Sequence, residues 1–231
     1  RLPDLNNIMN NIRGLFEVCL PLKGKRVLIT AGPTREAIDP VRFISNRSSG
    51  KMGYALAENA RDMGASVILV SGPVAMADLP EVKTMKVETA NDMLSAVTRN
   101  CAKADYIFMS AAVSDYMPIE PLTKKMKRTS TSINLNLIPA PDILKSIQKK
   151  TNAVITAFAL ETHNGEKEAK CKMKQKNADY IVLNYANEKG AGFDSNTNHV
   201  TIYSKNGKSR ELKKDNKDRV AKKIIEYIVK C

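Results

Sequence analysis

The 231-residue sequence contains no tryptophan, and aromatic residues make up only 5% of it. Proteins that bind single-stranded nucleic acid stack the bases on aromatic side chains, so this class is disfavoured although the net charge is +13. The lysines are also spread widely along the chain instead of forming one dense tract. A basic nucleic-acid-binding module is therefore kept only as an alternative, and an anionic polyphosphate substrate explains part of the charge better.

Cysteine is scarce and long apolar runs are missing. The four cysteines, Cys19, Cys101, Cys171 and Cys231, are scattered without the spacing of metal ligands, so reduced thiols in a cytosol fit best and no protein-bound metal site is predicted. No apolar run approaches the roughly 18 residues that a membrane span requires. The sequence therefore predicts a cytoplasmic protein without a membrane partner.

The chain is organised around one long connection between its first strand and its first helix. Residues 26–30 are apolar and β-branched, which predicts a buried strand. Apolar residues then recur at helical spacing from Tyr54 until Gly64. A connection of about twenty residues is far longer than an ordinary βα loop. Such a loop, running from the end of the first strand into a helix N-terminus, is where an open α/β sheet binds anions.

The composition of this connection favours an anion site. Ser48, Ser49 and Gly50 leave their backbone N–H groups accessible, and the amide of Asn46 can orient a carboxyl-derived group. Basic side chains of the same connection add charge: Arg42, Arg47 and Lys51. The alternative is that the two serines only cap the helix and Asn46 lies in a turn. No G-x-G-x-x-G follows the strand, so this is not the dinucleotide fingerprint.

Residues 30–36, 39–46 and 48–53 together closely resemble phosphopantothenoylcysteine synthetase, the ligase of coenzyme A biosynthesis. The resemblance continues in separate blocks over residues 23–230. It implies a synthetase domain at 23–231, preceded by a lead-in helix at 1–22 that connects to a flavin-dependent decarboxylase domain outside this sequence.

Strand and helix patterns alternate along the remaining chain, which predicts a doubly wound, mostly parallel, Rossmann-like α/β sheet. An antiparallel hairpin and a flap region are added to it. The predicted strands cover residues 65–71, 82–87, 104–109, 133–137, 153–162, 179–184 and 200–203, the last followed by a turn at 206–207 and a return strand. The predicted helices cover 90–101, 166–176 and 218–230, and another begins near 140–144.

Small residues follow the strand at 104–109. Ser110 and Ala111 leave room for a flat ring, and Asp115 can accept a hydrogen bond from a ribose hydroxyl. The alternative for Asp115 is a tight turn closed by its own side chain. The family has a matching segment at its nucleotide, so the resemblance implies that all three residues bind CTP.

Residues 124–128 contain four cations and cannot form a core. They form either a solvated loop or a mobile flap that closes over a triphosphate. The segment resembles the K-x-K-K flap of the bacterial, CTP-using enzymes, with Lys125 at the functional lysine and Lys124 leaving the register open by one residue. The resemblance implies that Lys125 is catalytic and binds CTP, and that the flap reaches across a dimer interface.

The resemblance extends the CTP site to other parts of the chain. The implied residues are Gly32, Ala140, Pro141, Asp142, Ile143, Phe158, Lys172 and Lys176. Several of them also have a purely structural interpretation: Asp142 as a helix-dipole carboxylate, Phe158 as a core residue, and the two lysines as solvated charges. Lys172 and Lys176 stand four residues apart, so they share one helix face and can grip a polyphosphate together.

The implied reaction joins 4'-phosphopantothenate to L-cysteine through an acyl-cytidylate formed from CTP, with release of pyrophosphate and then CMP. Mg²⁺ would bridge phosphates mostly through water and substrate oxygens. Asn46 is assigned to the acyl-cytidylate as a second catalytic residue. Binding of phosphopantothenate is assigned to Arg42, Asn46, Ser48, Ser49 and Gly50. The family implies a homodimer. The runner-up is a NAD(P)-dependent oxidoreductase on the same fold, which would need the missing glycine fingerprint.

Overall fold

The structure is a computed structural model that describes residues 20–128, 132–185 and 195–229. Most of the lead-in helix predicted for residues 1–22 lies outside the described residues. The chain enters through a turn in which the backbone N–H of Lys23 donates to the carbonyl of Leu20 at 2.9 Å. No helix within the described ranges is long and apolar enough to cross a lipid bilayer.

The described ranges form twelve strands and five helices. The strands are β1 (Arg26–Ala31), β2 (Arg35–Ala37), β3 (Phe43–Ser45), β4 (Ser66–Ser71), β5 (Lys83–Lys86), β6 (Tyr106–Met109), β7 (Tyr116–Pro118), β8 (Leu137–Pro139), β9 (Val154–Glu161), β10 (Tyr180–Tyr185), β11 (Thr197–Ser204) and β12 (Ser209–Asn216). The helices are α1 (Lys51–Asp62), α2 (Ala90–Cys101), α3 (Ile143–Ile147), α4 (Gly165–Gln175) and α5 (Lys217–Val229).

The main sheet has eight strands in the order β12-β11-β10-β9-β6-β1-β4-β5. The six strands from β10 to β5 run parallel, and the β11–β12 hairpin adds two antiparallel strands at one edge. One core contains buried residues of α1 and α5. The other contains buried residues of α2, α3 and α4. The predicted doubly wound fold is therefore confirmed.

Two small antiparallel ribbons differ from the sequence prediction. Strands β2 and β3 pair within the long connection, which was predicted only as a long loop. The strand predicted for residues 133–137 is wrong: strand β8 begins only at Leu137 and pairs with β7. Alternating polarity alone does not make a strand, because its backbone needs a partner. Pro121 has no N–H with which to lengthen the ladder beyond Ile119, whose N–H donates to the carbonyl of Asn136 at 3.1 Å.

Candidate nucleotide and carboxylate site

A cavity of about 690 Å³ opens at the carboxyl ends of the parallel strands. It is bounded by the start of α1, the loop after β6, the segment before α3, and one face of α4. Fourteen residues predicted for the site line it: Asn46, Ser48, Ser49, Gly50, Ser110, Ala111, Asp115, Ala140, Pro141, Asp142, Ile143, Phe158, Lys172 and Lys176. The fold therefore brings together residues that were predicted from separate blocks of sequence.

Helix α1 begins unusually close to the end of β1. A Cβ atom on Gly53 would lie 2.5 Å from the Cβ of Ala31 and 2.8 Å from the Oγ of Ser110, so only glycine allows this approach. The N-cap residue of the helix is Gly50 at φ 75°, which has no side chain with which to cap it. Ser48 Oγ accepts from the N–H of Gly50 at 3.4 Å, and the roles of Ser48 and Ser49 stay predictions. Residues of the first turn of α1 line the cavity, and the N-terminus of a helix favours an anion.

The loop after β6 is tied to the end of β1 by hydroxyl groups. Ser110 Oγ donates to the carbonyl of Thr30 at 2.6 Å, and Thr30 Oγ1 accepts from the N–H of Ala111 at 3.2 Å. Gly32, at φ 75°, lies just outside the cavity lining, and its carbonyl accepts from the N–H of Ala112 at 2.9 Å. Gly32 thus supports the loop that lines the cavity instead of lining it.

Asn46 joins the β2–β3 hairpin to the same loop. Its Nδ2 donates to the carbonyl of Val113 at 2.9 Å and lies 3.4 Å from the carbonyl of Ala112. These contacts hold the amide at the cavity wall, beside Ser48 at the entrance to α1. A carboxylate at position 46 would face two carbonyl oxygens and be repelled by them.

Asp142 caps a helix and also lines the cavity. Its Oδ1 accepts from the N–H of Lys145 at 3.1 Å, so the residue caps α3. Its Oδ2 pairs with the ammonium group of Lys176 inside the cavity lining. Burial acts to raise the pKa of Asp142, but the hydrogen bond from Lys176 and the capping bond outweigh it, and the pKa lies below its ordinary value.

Lys172 is the most deeply placed cation of α4. Its Nζ donates to the carbonyl of Phe158 at 3.0 Å. Burial lowers the pKa of Lys172, and the nearby charge of Lys176 lowers it further, while Glu161 and other acidic groups oppose the shift. Two like charges next to a cavity that opens on backbone N–H groups make a site suited to a polyanion.

Besides Gly32, two predicted residues are not in the lining: Arg42 and Lys125. Arg42 Nη1 donates to Asp39 Oδ2 at 3.0 Å and to the carbonyl of Met126 at 3.1 Å. Lys125 is exposed beside that contact. The assignment of Arg42 to phosphopantothenate and of Lys125 to CTP stays a prediction.

The cavity also includes Lys51, which the sequence named as a basic side chain of the long connection, and three polar residues that the sequence did not single out: Asn184, Asn198 and Lys217. Lys51 Nζ donates to Asn196 Oδ1 at 2.7 Å, and Asn184 Nδ2 lies 3.4 Å from Asn198 Oδ1. The position of Asn184 at the end of a predicted strand was a usable signal. No sequence signal pointed to Asn198 of β11 or Lys217 of α5, because their place at the cavity depends on how the C-terminal hairpin returns to the sheet.

The family described as "DNA/pantothenate metabolism flavoprotein C-terminal domain" matches residues 22–231. The coenzyme A biosynthesis bifunctional protein CoaBC of Bacillus subtilis (strain 168) is 44% identical over 99% of this chain and 57% of its own length. A cysteine/cysteine sulfinic acid decarboxylase from an unknown prokaryotic organism is 43% identical over 90% of this chain and 59% of its own length. Both names describe proteins of which this chain spans somewhat more than half.

The crystal structure of the C-terminal domain of a coenzyme A biosynthesis bifunctional protein CoaBC has a similar fold. The two chains share 43% identity with a TM-score of 0.78, over 91% of this chain and 96% of that one.

Proposed function

Because this chain belongs to the family of DNA/pantothenate metabolism flavoprotein C-terminal domains, we propose that it is a cytoplasmic ligase that joins 4'-phosphopantothenate to L-cysteine with CTP. The observation that carries the proposal is that one cavity at the strand ends combines the N-terminus of α1, the amide of Asn46, and the cations Lys172 and Lys176. The Bacillus subtilis relative is named a coenzyme A biosynthesis bifunctional protein, and the native protein is proposed to be fused to a decarboxylase domain.

The geometry suggests how two anions are brought together. The N-terminus of α1 with Ser48, Ser49 and Gly50 holds phosphopantothenate, and Asn46 holds its carboxyl group and then the acyl-cytidylate. The carboxylate attacks the α-phosphate of CTP and pyrophosphate leaves. The amine of cysteine next attacks the acyl carbon and releases CMP. Most of the rate enhancement would come from positioning and from neutralising charge.

The nucleotide would occupy the other half of the cavity. The base and ribose lie against the loop after β6 and the residues before α3, with Asp115 at the ribose, and the phosphates reach Lys172 and Lys176. The described residues contain no group of three or more His, Cys, Asp or Glu side chains able to hold a metal ion. Mg²⁺ would therefore be held by phosphate oxygens and water, where it neutralises charge on the triphosphate.

A homodimer completes the proposal. Large apolar side chains are exposed on the two small ribbons and the segments beside them: Val41, Phe43, Tyr116, Ile119, Leu122, Ile133, Leu135 and Leu137. Exposed apolar side chains, where they form a patch, mark a surface for association with a partner. A second copy covering it would bring the basic segment that contains Lys125 toward the partner's cavity.

The proposal is tested by measuring pyrophosphate release from 4'-phosphopantothenate and Mg²⁺ with either CTP or ATP, with and without cysteine. We expect release with CTP, and steady formation of CMP only when cysteine is present. The Asn46→Asp variant, purified in parallel, controls for contaminating enzymes. Release with ATP alone would refute the choice of nucleotide, and no release with either nucleotide from the folded protein would refute the proposed ligase activity of this chain.

A further inference from the structure

The chain between β7 and the basic segment is docked on the turn of the β2–β3 hairpin. The backbone N–H of Leu122 donates to the carbonyl of Ile38 at 2.9 Å. Four residues later, the backbone N–H of Met126 donates to Asp39 Oδ2 at 3.1 Å. Because Lys125 is the neighbour of Met126, its position depends on the second of these contacts.

Asp39 is a buried carboxylate whose side chain is 0% exposed, and four donors surround it. Its Oδ1 accepts from the N–H groups of Val41 and Arg42 at 2.7 and 2.8 Å. Its Oδ2 accepts from Met126 and from the guanidinium group of Arg42 at 3.0 Å. Burial alone would raise the pKa of Asp39, but the three backbone N–H groups and Arg42 together lower it, so the carboxylate is the form that this site favours.

Asp39 and Arg42 together hold both polar groups of one residue. Asp39 accepts a hydrogen bond from the N–H of Met126, and Arg42 Nη1 donates to the Met126 carbonyl at 3.1 Å. A neighbouring strand would satisfy a backbone in the same way. Two side chains of the hairpin thus fix a segment that is more than eighty residues away in sequence.

We infer that Asp39 is a positioning residue for the ligase reaction: with Arg42 it fixes the backbone of Met126 and thereby sets where Lys125 is presented. This inference rests on the proposed function for its kinetic consequence. Its structural consequence, a docked basic segment, can be measured without any substrate. The charge of Arg42 is then used to hold this segment, which differs from the phosphopantothenate contact that the sequence predicted.

The requirement for aspartate follows from the number of lone pairs. An ionised carboxylate offers about four acceptor positions, whereas an asparagine amide offers two and adds two donors. In Asp39→Asn, the amide oxygen can still accept from the backbone N–H groups of Val41 and Arg42. The new NH₂ group then faces the N–H of Met126 and the guanidinium group, and these are donors that cannot bond another donor. The substitution changes no volume but must release the contact to Met126.

The first experiment is limited trypsin digestion of the substrate-free protein, because the segment carries four trypsin sites at residues 124, 125, 127 and 128. We expect cleavage there to be about 10-fold faster in Asp39→Asn than in the wild type, since local release exposes the backbone. Arg42→Gln should show the same faster cleavage. It tests the docking of the segment independently if Asp39→Asn does not fold. Asp92→Asn is the matched control: this aspartate also accepts from a backbone N–H, but it caps α2.

The second experiment is a double-mutant cycle with Lys125→Ala. If Asp39 acts through Lys125, Asp39→Asn should lower kcat/KM about 10- to 100-fold in the wild type. In the Lys125→Ala background, Asp39→Asn should lower kcat/KM by less than about 2-fold. Equal losses in both backgrounds would overturn the kinetic part of the inference.

The two readouts separate the possible failures. Trypsin cleavage at the wild-type rate in folded Asp39→Asn and Arg42→Gln would refute the positioning role. Faster cleavage in a protein without ligase activity would keep the docked segment and refute the proposed function.

Discussion

Lys172 is the residue at which folding and binding make opposite demands. Its ammonium group is partly buried beside Lys176, and burial lowers its pKa. Removing a charge from water costs free energy that a single hydrogen bond to the carbonyl of Phe158 offsets only in part. An anionic ligand would supply the missing counter-charge. The free protein therefore has a partly desolvated charge at this position, and a bound triphosphate would offset the cost of that desolvation.

Lys172→Met should stabilise the free protein while weakening its response to nucleotide. Replacing a buried charge by an apolar side chain of similar length is expected to gain about 1 kcal/mol, which raises Tm by about 2–4 °C in a chain of this size. The stabilisation by CTP and Mg²⁺ should shrink. Thermal denaturation with and without nucleotide measures both effects, and Lys174→Met, at an exposed position of the same helix, is the control.

The pH dependence follows from the direction of the same shift. The pKa of Lys172 lies below its ordinary value of 10.5, so protonation costs more in the folded than in the unfolded protein. The stability contributed by this site therefore rises as pH increases from the folded-state pKa toward 10.5. Lys172→Met should flatten that part of the curve, and an unchanged curve together with an unchanged Tm would contradict this account.

For individual residues, the sequence was most informative where a motif is local. Residues 30–53 predicted the family and Asn46, Ser48 and Ser49 at the cavity. The pairing of Lys172 with the carbonyl of Phe158 and of Lys176 with Asp142 was not predictable. Each joins residues that only the packing of α4 on β9 and α3 brings together. Asp39 was part of the motif, yet its four donors include one from a segment distant in sequence.

Helix α1 is the element on which the half of the cavity proposed for phosphopantothenate depends. Gly53 lets it approach the end of β1 so closely that a methyl group would overlap Ala31 and Ser110. Because Ser110 also bonds the carbonyl of Thr30, a shift of α1 would disturb both halves of the cavity. The close approach is therefore a requirement of the site as well as of the core.

Gly53→Ala is expected to move the start of α1 away from the sheet. Overpacking should cost about 1–3 kcal/mol of the free energy of unfolding, and KM for phosphopantothenate should rise about 10-fold because the helix N-terminus no longer meets the ligand. Chemical denaturation and steady-state kinetics provide the two numbers.

Gly207→Ala is the control for stability alone. Gly207 has φ +85° and no atom within 4 Å of an added Cβ, so the substitution should cost about 1–2 kcal/mol through backbone strain. It lies in the β11–β12 turn, away from the cavity lining. A KM increase in both variants would mean that Gly53 acts only through stability.

Among the elements, those of the main sheet were predictable and the two small ribbons were not. Strands such as β1 and β9 are mostly apolar and buried because helices cover both sheet faces, and that signal is local. Strands β2, β3, β7 and β8 have three residues each. Segments this short show no periodicity, and they pair with partners that the local sequence does not identify.

For the whole molecule, the alternation of strand and helix patterns predicted an α/β protein, and the net charge of +13 favoured an anionic ligand. What composition could not provide is which copy supplies each part of the site. Asn46 lines the cavity of its own chain, whereas Lys125 lies outside the lining. Large apolar side chains are exposed on the two ribbons, and the segment that carries Lys125 contacts Asp39 and Arg42 of the β2–β3 hairpin. A dimer that buries them would let Lys125 act on the partner's cavity.

This arrangement predicts that two inactive variants restore activity when they share a dimer. Asn46→Asp and Lys125→Ala should each lose most activity alone. In a mixed dimer, one cavity has the intact Asn46 of one chain and the intact Lys125 of the other, while the second cavity has neither. Random assembly from equal amounts should then recover about one quarter of wild-type activity. Co-expression with two different affinity tags isolates the mixed dimer, whose activity per dimer should be about one half of the wild type.

The opposite arrangement gives a distinct result. If Lys125 served the cavity of its own chain, each cavity of the mixed dimer would lack one of the two groups, and activity would stay at the level of the single variants. Subunit exchange must be shown by mass measurement of the tagged dimer, so that a lack of recovery cannot arise from unmixed chains. Recovery would thus assign Lys125 to the partner's cavity, because no contact within one chain can combine the two intact residues.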